Sequence, residues 1–359
     1  MDYAATTPID TAVEKAMRPL YAGMFGNPSS SHLDGQTASR VVFLARQGIA
    51  RALNADYQEI IFTGSATEAN NLALRGTFEH ALGKHPLFSP AEKRDSLSAH
   101  RSALKSGDRA GALPRCSLEH ASNIPLRVVI SAIEHDSVYE VCMDLKKQYG
   151  AEIVEIPVNS EGIVDAQKLE AALNENTVLV SVQMANSEIG VIQPIREIGE
   201  IIKNYKLIRQ LADKNSTYPL FHTDAVQAFQ YMKCDVVELG VDMLTLSAHK
   251  IYGPKGIGIL YAKNSKLETR NPKQKIDYDY NKQPNSVSSF EFRVSDFLSP
   301  LVIGGGQENG MRSGTENVPA IVGFAKAVEI AEKMRVSECA RGARLRDALW
   351  RGIKKILPD

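Results

Sequence analysis

Short apolar runs alternate with helix-period segments through most of this 359-residue chain, and run after run stops at a polar residue. The runs Glu59–Thr63, Arg127–Ser131, Ile153–Val158, Val178–Met184, Leu220–Thr223, Val241–Leu246 and Ile257–Tyr261 read as buried strands. Helical spacing marks 36–53, the stretch through Leu74, the approach to Tyr149, Asp165–Leu173 and Pro194–Tyr205. Thr11–Tyr21 and Val318–Ile356 read as helices as well. Alternation sustained over about 200 residues predicts an α/β fold of three layers, a mainly parallel sheet with helices on both faces. Ligand sites of such sheets lie at the carboxyl ends of the strands. That is where Thr67, His135, Asn186, Asp224, Ser247, His249 and Lys250 fall.

Lys250 stands between an apolar run and the glycine-rich turn Tyr252-Gly253-Pro254-Lys255-Gly256, with another apolar run beyond it. Two readings fit. A desolvated lysine has a depressed pKa, and its neutral amine forms Schiff bases with carbonyls. A lysine at a strand end also reaches out to solvent. The turn Gly64-Ser65-Ala66-Thr67 joins a strand to a helix start, the geometry of an anion cradle and equally of a helix cap. His135 follows a strand, where an imidazole either stacks on a planar ring or merely opens a helix. Asp224 ends a strand and either bonds a protonated ring nitrogen or caps the next helix. Gln227 lies one helical step beyond it. The glycine-dense loop Ile303–Thr315 carries Arg312 and Thr315, two groups suited to an anion. An anion cradle, a stacking ring, an acid for a ring nitrogen and a desolvated lysine describe pyridoxal 5'-phosphate (PLP) more closely than a nucleotide. Neither the dinucleotide fingerprint nor the Walker spacing is present.

Lys+Arg and Asp+Glu number 42 each, so bulk charge argues against nucleic acid or membrane as a partner. The four cysteines, Cys116, Cys142, Cys234 and Cys339, are scattered and show neither disulfide nor metal spacing. The histidines of the first irregular stretch also lack ligand spacing, so no metal site is expected. The first residues are not a signal peptide and no apolar run spans a bilayer, which predicts a cytoplasmic setting. Residues 80–126 and 264–299 lack periodicity and read as irregular insertions. The expected organisation is an N-terminal segment 1–15, a large domain 16–317 holding both insertions, and a long helix 318–359.

Several stretches together resemble the cysteine desulfurases, in the class V aminotransferase group of fold type I PLP enzymes. They are Asp2–Pro8, Gly26–Ser30, Phe62–Glu68, Glu134-His135, Asn186–Gly190, His222–Gln227, Ser247–Gly256 and Met311–Thr315. The resemblance implies the large domain of that fold and assigns roles. Lys250 forms the Schiff base with PLP and then shuttles protons. Asp224 pairs with the ring nitrogen. His135 stacks on the ring and serves as an acid/base. Asn186 and Gln227 face the phenolic oxygen. Ala66 (through its backbone), Thr67, Ser247 and His249 hold the phosphate, and Thr315 reaches the phosphate of a neighbouring subunit, so a homodimer is implied. The implied reaction turns L-cysteine into L-alanine. The sulfur leaves as a persulfide for an acceptor protein, in iron–sulfur cluster assembly or tRNA thiolation.

The family's persulfide cysteine lies in a C-terminal small domain, and none of the four cysteines matches its motif. The expectation is therefore a chain without that domain, and a second reading stands: a PLP-binding dimer partner that does not desulfurate. A related PLP lyase or aminotransferase is a third.

Overall fold

The computed structural model describes residues 2–84, 125–214, 216–264 and 297–357. Helices α1 (Thr11–Met17), α2 (Pro19–Ala22) and α3 (Leu33–Leu53) precede the sheet. Strand β1 (Ile60–Thr63) leads into α4 (Ala66–Lys84). Then come β2 (Arg127–Ser131), α5 (Asp136–Tyr149), β3 (Glu152–Ile156), α6 (Ala166–Ala172) and β4 (Thr177–Ser181). Helix α7 (Ile195–Ala212), β5 (Leu220–Asp224), the short α8 (Val236–Leu239), β6 (Met243–Ser247) and β7 (Gly258–Ala262) follow, and α9 (Val318–Ile356) is last.

The strands form one seven-stranded sheet in the order β1-β7-β6-β5-β4-β2-β3. Strand β7 runs antiparallel to β1 and β6, and the remaining pairings are parallel. The exception has a chain-length cause. A parallel return needs a crossover of a dozen or more residues, and the connection Ala248–Ile257 is too short for one. It turns back as a tight loop, and that loop carries Lys250.

Strand side chains alternate between two cores, as the period of two requires. Ile60, Phe62, Val129, Val180, Phe221, Leu244, Leu246 and Ile259 pack with residues of α1, α3, α6, α7 and α9. Ile61, Val128, Ile130, Leu179, Leu220, Met243 and Leu260 pack with α4 and α5. Each wholly buried Leu, Ile or Phe contributes about 1.5–3 kcal/mol, so both helix layers are firmly held to the sheet.

Several expected boundaries shift. Residue 15 lies inside α1, so 1–15 is not a separate segment; Arg18 and Pro19 break the expected Thr11–Tyr21 helix instead. Helix α4 runs on to Lys84, so the expected insertion 80–126 begins as helix; its residues 85–124 lie outside the described residues. The expected 264–299 insertion is described only at its ends, where Phe297 and Leu298 are buried in the core. Finally, α9 does not start a new unit at 318: Val318, Ile321, Phe324 and Val328 belong to the core. Beyond Ala331 the helix leaves that core, and Val336 is 84% exposed.

Candidate active site

The carboxyl ends of β1, β2, β4, β5 and β6 open on one cavity of about 200 Å³. Ser65, Ala66, Thr67, His135, Asp224, Gln227, Ser247, His249 and Lys250 line it, together with Ser137 and Gln183. Parallel strands bring their carboxyl ends to one edge, so residues far apart in sequence meet there.

The N-terminus of α4 forms one wall. Ser65 Oγ accepts the Glu68 N–H at 3.1 Å, so the capping role expected of this turn is real. The first N–H groups of any helix lack an intrahelical acceptor, which leaves Ala66 and Thr67 able to serve an anion beside Ser247 and His249. Gly258 of β7 lies directly under this wall. A Cβ there would come within 2.5 Å of Ser65 C and 2.7 Å of Ala66 N, so only glycine lets strand and cradle approach this closely.

Asp224 is buried at the end of β5. Its Oδ1 accepts from Val226 N–H at 3.0 Å and its Oδ2 from Asn70 Nδ2 at 2.8 Å. Burial pushes its pKa above the usual carboxylate range, and those two hydrogen bonds oppose the rise. His135 caps α5 and lies exposed on the cavity rim, with Nδ1 accepting from Ser137 N–H at 3.0 Å. The helix-opening role expected of it is seen, at a position that also lines the cavity.

Lys250 is half-buried, and burial lowers its pKa, with Asp2 and Asp224 acting the other way. Its Nζ donates to the carbonyls of Ala4 at 2.6 Å and Ala5 at 3.0 Å. The N-terminal segment is stitched to the lysine turn. Thr7 N–H and Oγ1 both donate to His249 O, at 3.0 and 2.9 Å, and Tyr252 N–H donates to Thr7 Oγ1 at 2.8 Å. Burial and the nearby Lys250 and Lys255 lower the His249 pKa.

Asn186 and Gln227 are engaged elsewhere than expected, and Thr315, expected to serve a neighbouring subunit, lies outside this cavity. Asn186 does not line the cavity: its Nδ2 donates to Ile133 O, and its Oδ1 accepts from Glu188 and Ile189 N–H to close a turn. Gln227 lines the cavity but gives Nε2 to Ala4 O at 3.0 Å. Thr315 is exposed on the glycine-rich loop and lines a separate cavity of about 210 Å³ with Arg312, which pairs with Glu68 at 2.8 Å.

The sequence reading missed Gln183, Asn70, Ser137 and Glu134. Gln183 is 5% exposed and lines the cavity, and its Nε2 has no partner. Glu134 accepts from Ser131 Oγ and from Gln183 N–H, while its Oε2 has no partner; burial pushes its pKa up to about 8. A polar residue on the buried side of an element was the available signal: Asn70 stands among Ala69 and Ala73, all at 0% exposure. Cys142 and Cys234 are buried in the two cores, where burial raises their pKa, and Cys339 on α9 faces Tyr231 O. None of the three lines the cavity, and Cys116 lies outside the described residues.

A half-buried amine, a buried carboxylate held by two donors, an imidazole and the N-terminus of α4 thus line one cavity. The family model for class V aminotransferases matches residues 1–92 and 117–357. The cysteine desulfurase IscS of Dictyoglomus turgidum is 36% identical over 362 residues, taking in 100% of this chain and 70% of that protein. A solved NifS-like protein is 30% identical with a TM-score of 0.70, over 99% of this chain and 75% of that one. SspA, solved in complex with cysteine, is 32% identical with a TM-score of 0.64, over 91% of this chain and 71% of that one. With the family model matching most of its length and a relative named as a cysteine desulfurase 36% identical over all of it, the chain belongs to the class V aminotransferase family and, within it, to the cysteine desulfurases.

Proposed function

We propose that this protein is a PLP-dependent cysteine desulfurase: it activates L-cysteine so that a thiolate attacks the cysteine sulfur, the C–S bond breaks, the carbon takes a proton to give L-alanine, and the sulfur leaves as the persulfide of that thiol. The observation that carries this is the convergence of Lys250, Asp224 and the α4 N-terminus on one cavity. The residues fit PLP on their own chemistry. Asp224 is a buried acid suited to a protonated ring nitrogen, and Gln183, lining the same cavity, has a buried Nε2 without a partner. The Ser65–Thr67 backbone, seated against Gly258, suits a phosphate. When bound, PLP supplies an electron sink for charge developing at the substrate α-carbon.

The chain's own groups do the rest. Lys250 is the amine that would join the PLP carbonyl, and it must leave the Ala4 and Ala5 carbonyls to do so. Burial keeps its Nζ less basic than a surface lysine, which suits taking and returning a proton near the α-carbon. Asp224 would hold the ring nitrogen protonated. His135, with Nδ1 engaged by Ser137, would present its flat ring to the cofactor and exchange protons at Nε2. Ala66, Thr67, Ser247 and His249 would hold the phosphate. In this reading Gln183 stands where Asn186 was expected, beside Gln227.

The relative named for desulfuration and the neighbour solved with cysteine support L-cysteine as substrate. Thr315, exposed and outside the cavity, suits a contact with the phosphate of a second subunit in a homodimer. The sulfur acceptor is a protein thiol of the iron–sulfur assembly or tRNA thiolation routes, and the setting is cytoplasmic. Among the described residues no helix is long and apolar enough to cross a membrane. The test supplies the purified chain with PLP, L-cysteine and dithiothreitol as sulfur acceptor. Alanine and sulfide in equal amounts are expected; their absence from protein with PLP bound would overturn the desulfurase reading.

A further inference from the structure

Asn70 has 0% exposure, one turn into α4 from the anion cradle. Its Nδ2 donates to Asp224 Oδ2 and to Ser137 Oγ, both at 2.8 Å. Ser137 Oγ in turn lies 2.9 Å from His135 Nδ1. A hydroxyl that accepts from Asn70 has its own hydrogen left to donate, and His135 Nδ1 is the acceptor in reach. The Ser137 N–H points to the same nitrogen. Nδ1 is therefore an acceptor twice over, and the neutral ring carries its hydrogen on Nε2.

A single chain of hydrogen bonds thus runs Asp224–Asn70–Ser137–His135 and ties together β5, α4 and α5. The contacts also fix the Asp224 carboxylate plane. Val226 N–H holds Oδ1 and Asn70 holds Oδ2, from two different elements. Asn70 commits both amide hydrogens to this chain while its Oδ1 is buried without a partner. A leucine of similar shape would fill the same place beside Ala69 and Ala73 with no orphaned oxygen. Stability alone does not explain an amide here.

We propose that Asn70 is a positioning residue of the active site: it sets Asp224 for the PLP ring nitrogen and, through Ser137, sets His135 in the same frame. This rests on the PLP reading above. It accords with the opposing effects on Asp224, where burial favours the neutral acid and the Asn70 hydrogen bond favours the carboxylate.

The test measures PLP affinity by absorbance titration of the folded chain, with circular dichroism to verify folding. Asn70→Leu is expected to weaken PLP binding about tenfold, the loss of a hydrogen bond to a buried charge, and to shift the absorbance maximum of the bound cofactor at neutral pH. In an Asp224→Asn background the same substitution should change affinity less than about twofold, because its effect passes through Asp224. Unchanged affinity in Asn70→Leu, or a full tenfold effect in both backgrounds, overturns the proposal while the PLP reading stands. Unchanged affinity in Asp224→Asn overturns that reading and the proposal with it. Ser137→Ala, at a half-buried position, needs no cofactor: the His135 Nδ1 signal in nitrogen NMR of the protein should move as one of its two donors is lost. An unmoved signal overturns the link to His135.

Discussion

Arg46 and Glu308 meet beside β1, where the guanidinium grips both carboxylate oxygens at 2.6 and 2.7 Å. Phe62 N–H adds a third bond to Glu308 at 2.9 Å, and Arg46 also reaches Ile60 O. On the cavity edge of the same sheet, Asp224 is similarly buried, yet the groups around it are not completed by the protein. Asn70 Oδ1, Gln183 Nε2 and Glu134 Oε2 are buried without partners. Buried polar atoms are nearly always paired, and each exception asks for a reason. The completed pair is structural: it anchors the glycine-rich loop to β1 and holds Glu308 at a φ of +49°, a left-handed conformation that a non-glycine residue adopts only under constraint. Of the unpartnered groups, Gln183 lines the cavity, where a ligand with an acceptor of its own would complete it. The two carboxylates differ in their surroundings: three donors hold Glu308, whereas Gln183 keeps an unpartnered donor on the wall of the cavity that Asp224 lines.

The largest effect expected from this contrast is at Lys250. Lys250→Ala should lower cysteine turnover by at least about 100-fold with the urea midpoint unchanged, and turnover near the parent level would break the assignment. Arg46→Met should do the opposite. It leaves Glu308 buried and uncompensated, costing about 3–5 kcal/mol in urea unfolding, with PLP affinity kept in the protein that remains folded. Equal stability would place the Arg46 pair among the dispensable ones.

Protons sharpen the comparison further. Glu134 titrates at about 8 in the folded protein, against 4.5 for the free group, so between those values the folded state binds the extra proton. Stability without PLP should therefore fall as pH rises through that window, by up to about 1.4 kcal/mol per unit. His222, held between Ser181 Oγ and Thr245 Oγ1, is pushed down to about 3 by burial, so it removes stability as pH falls below 6.5. Above pH 6.5 His222 no longer contributes, and Glu134→Gln should flatten the slope up to pH 8, leaving what Asp224, also raised by burial, adds; an unchanged slope would move the proton elsewhere. The smallest effect belongs to Gln183→Leu. It removes an unpartnered amide, so stability should change by less than about 1 kcal/mol while PLP binding weakens several-fold. A large loss of stability would make Gln183 structural, like Arg46.

Much of this was legible before the structure. A strand buried on both faces is largely apolar, so residues 178–180 stood out; Leu220–Asp224 is buried throughout although His222, Thr223 and Asp224 are polar, and Asp224 was marked by its place at the strand end. Helix ends were harder. Helix α7 continues to Ala212 although Leu207, Ile208 and Leu211 are exposed, which blurs its apolar face. Side-chain direction was not legible at all. Asn186 was read as ending a strand, but β4 stops at Ser181 and the turn that Asn186 closes takes up its side chain, while Gln183 lines the cavity. Asn70 was hidden because nothing in a helical pattern shows which distant strand end its amide meets.

The central claim is that the strand-end cavity holds PLP through Lys250. The direct measurement is to add PLP to the purified chain, reduce with borohydride, digest, and locate the added mass. The account predicts one pyridoxyl group on Lys250 Nζ, absent from Lys250→Ala. A group on another lysine, or none in protein that is folded and exposed to PLP, would contradict it.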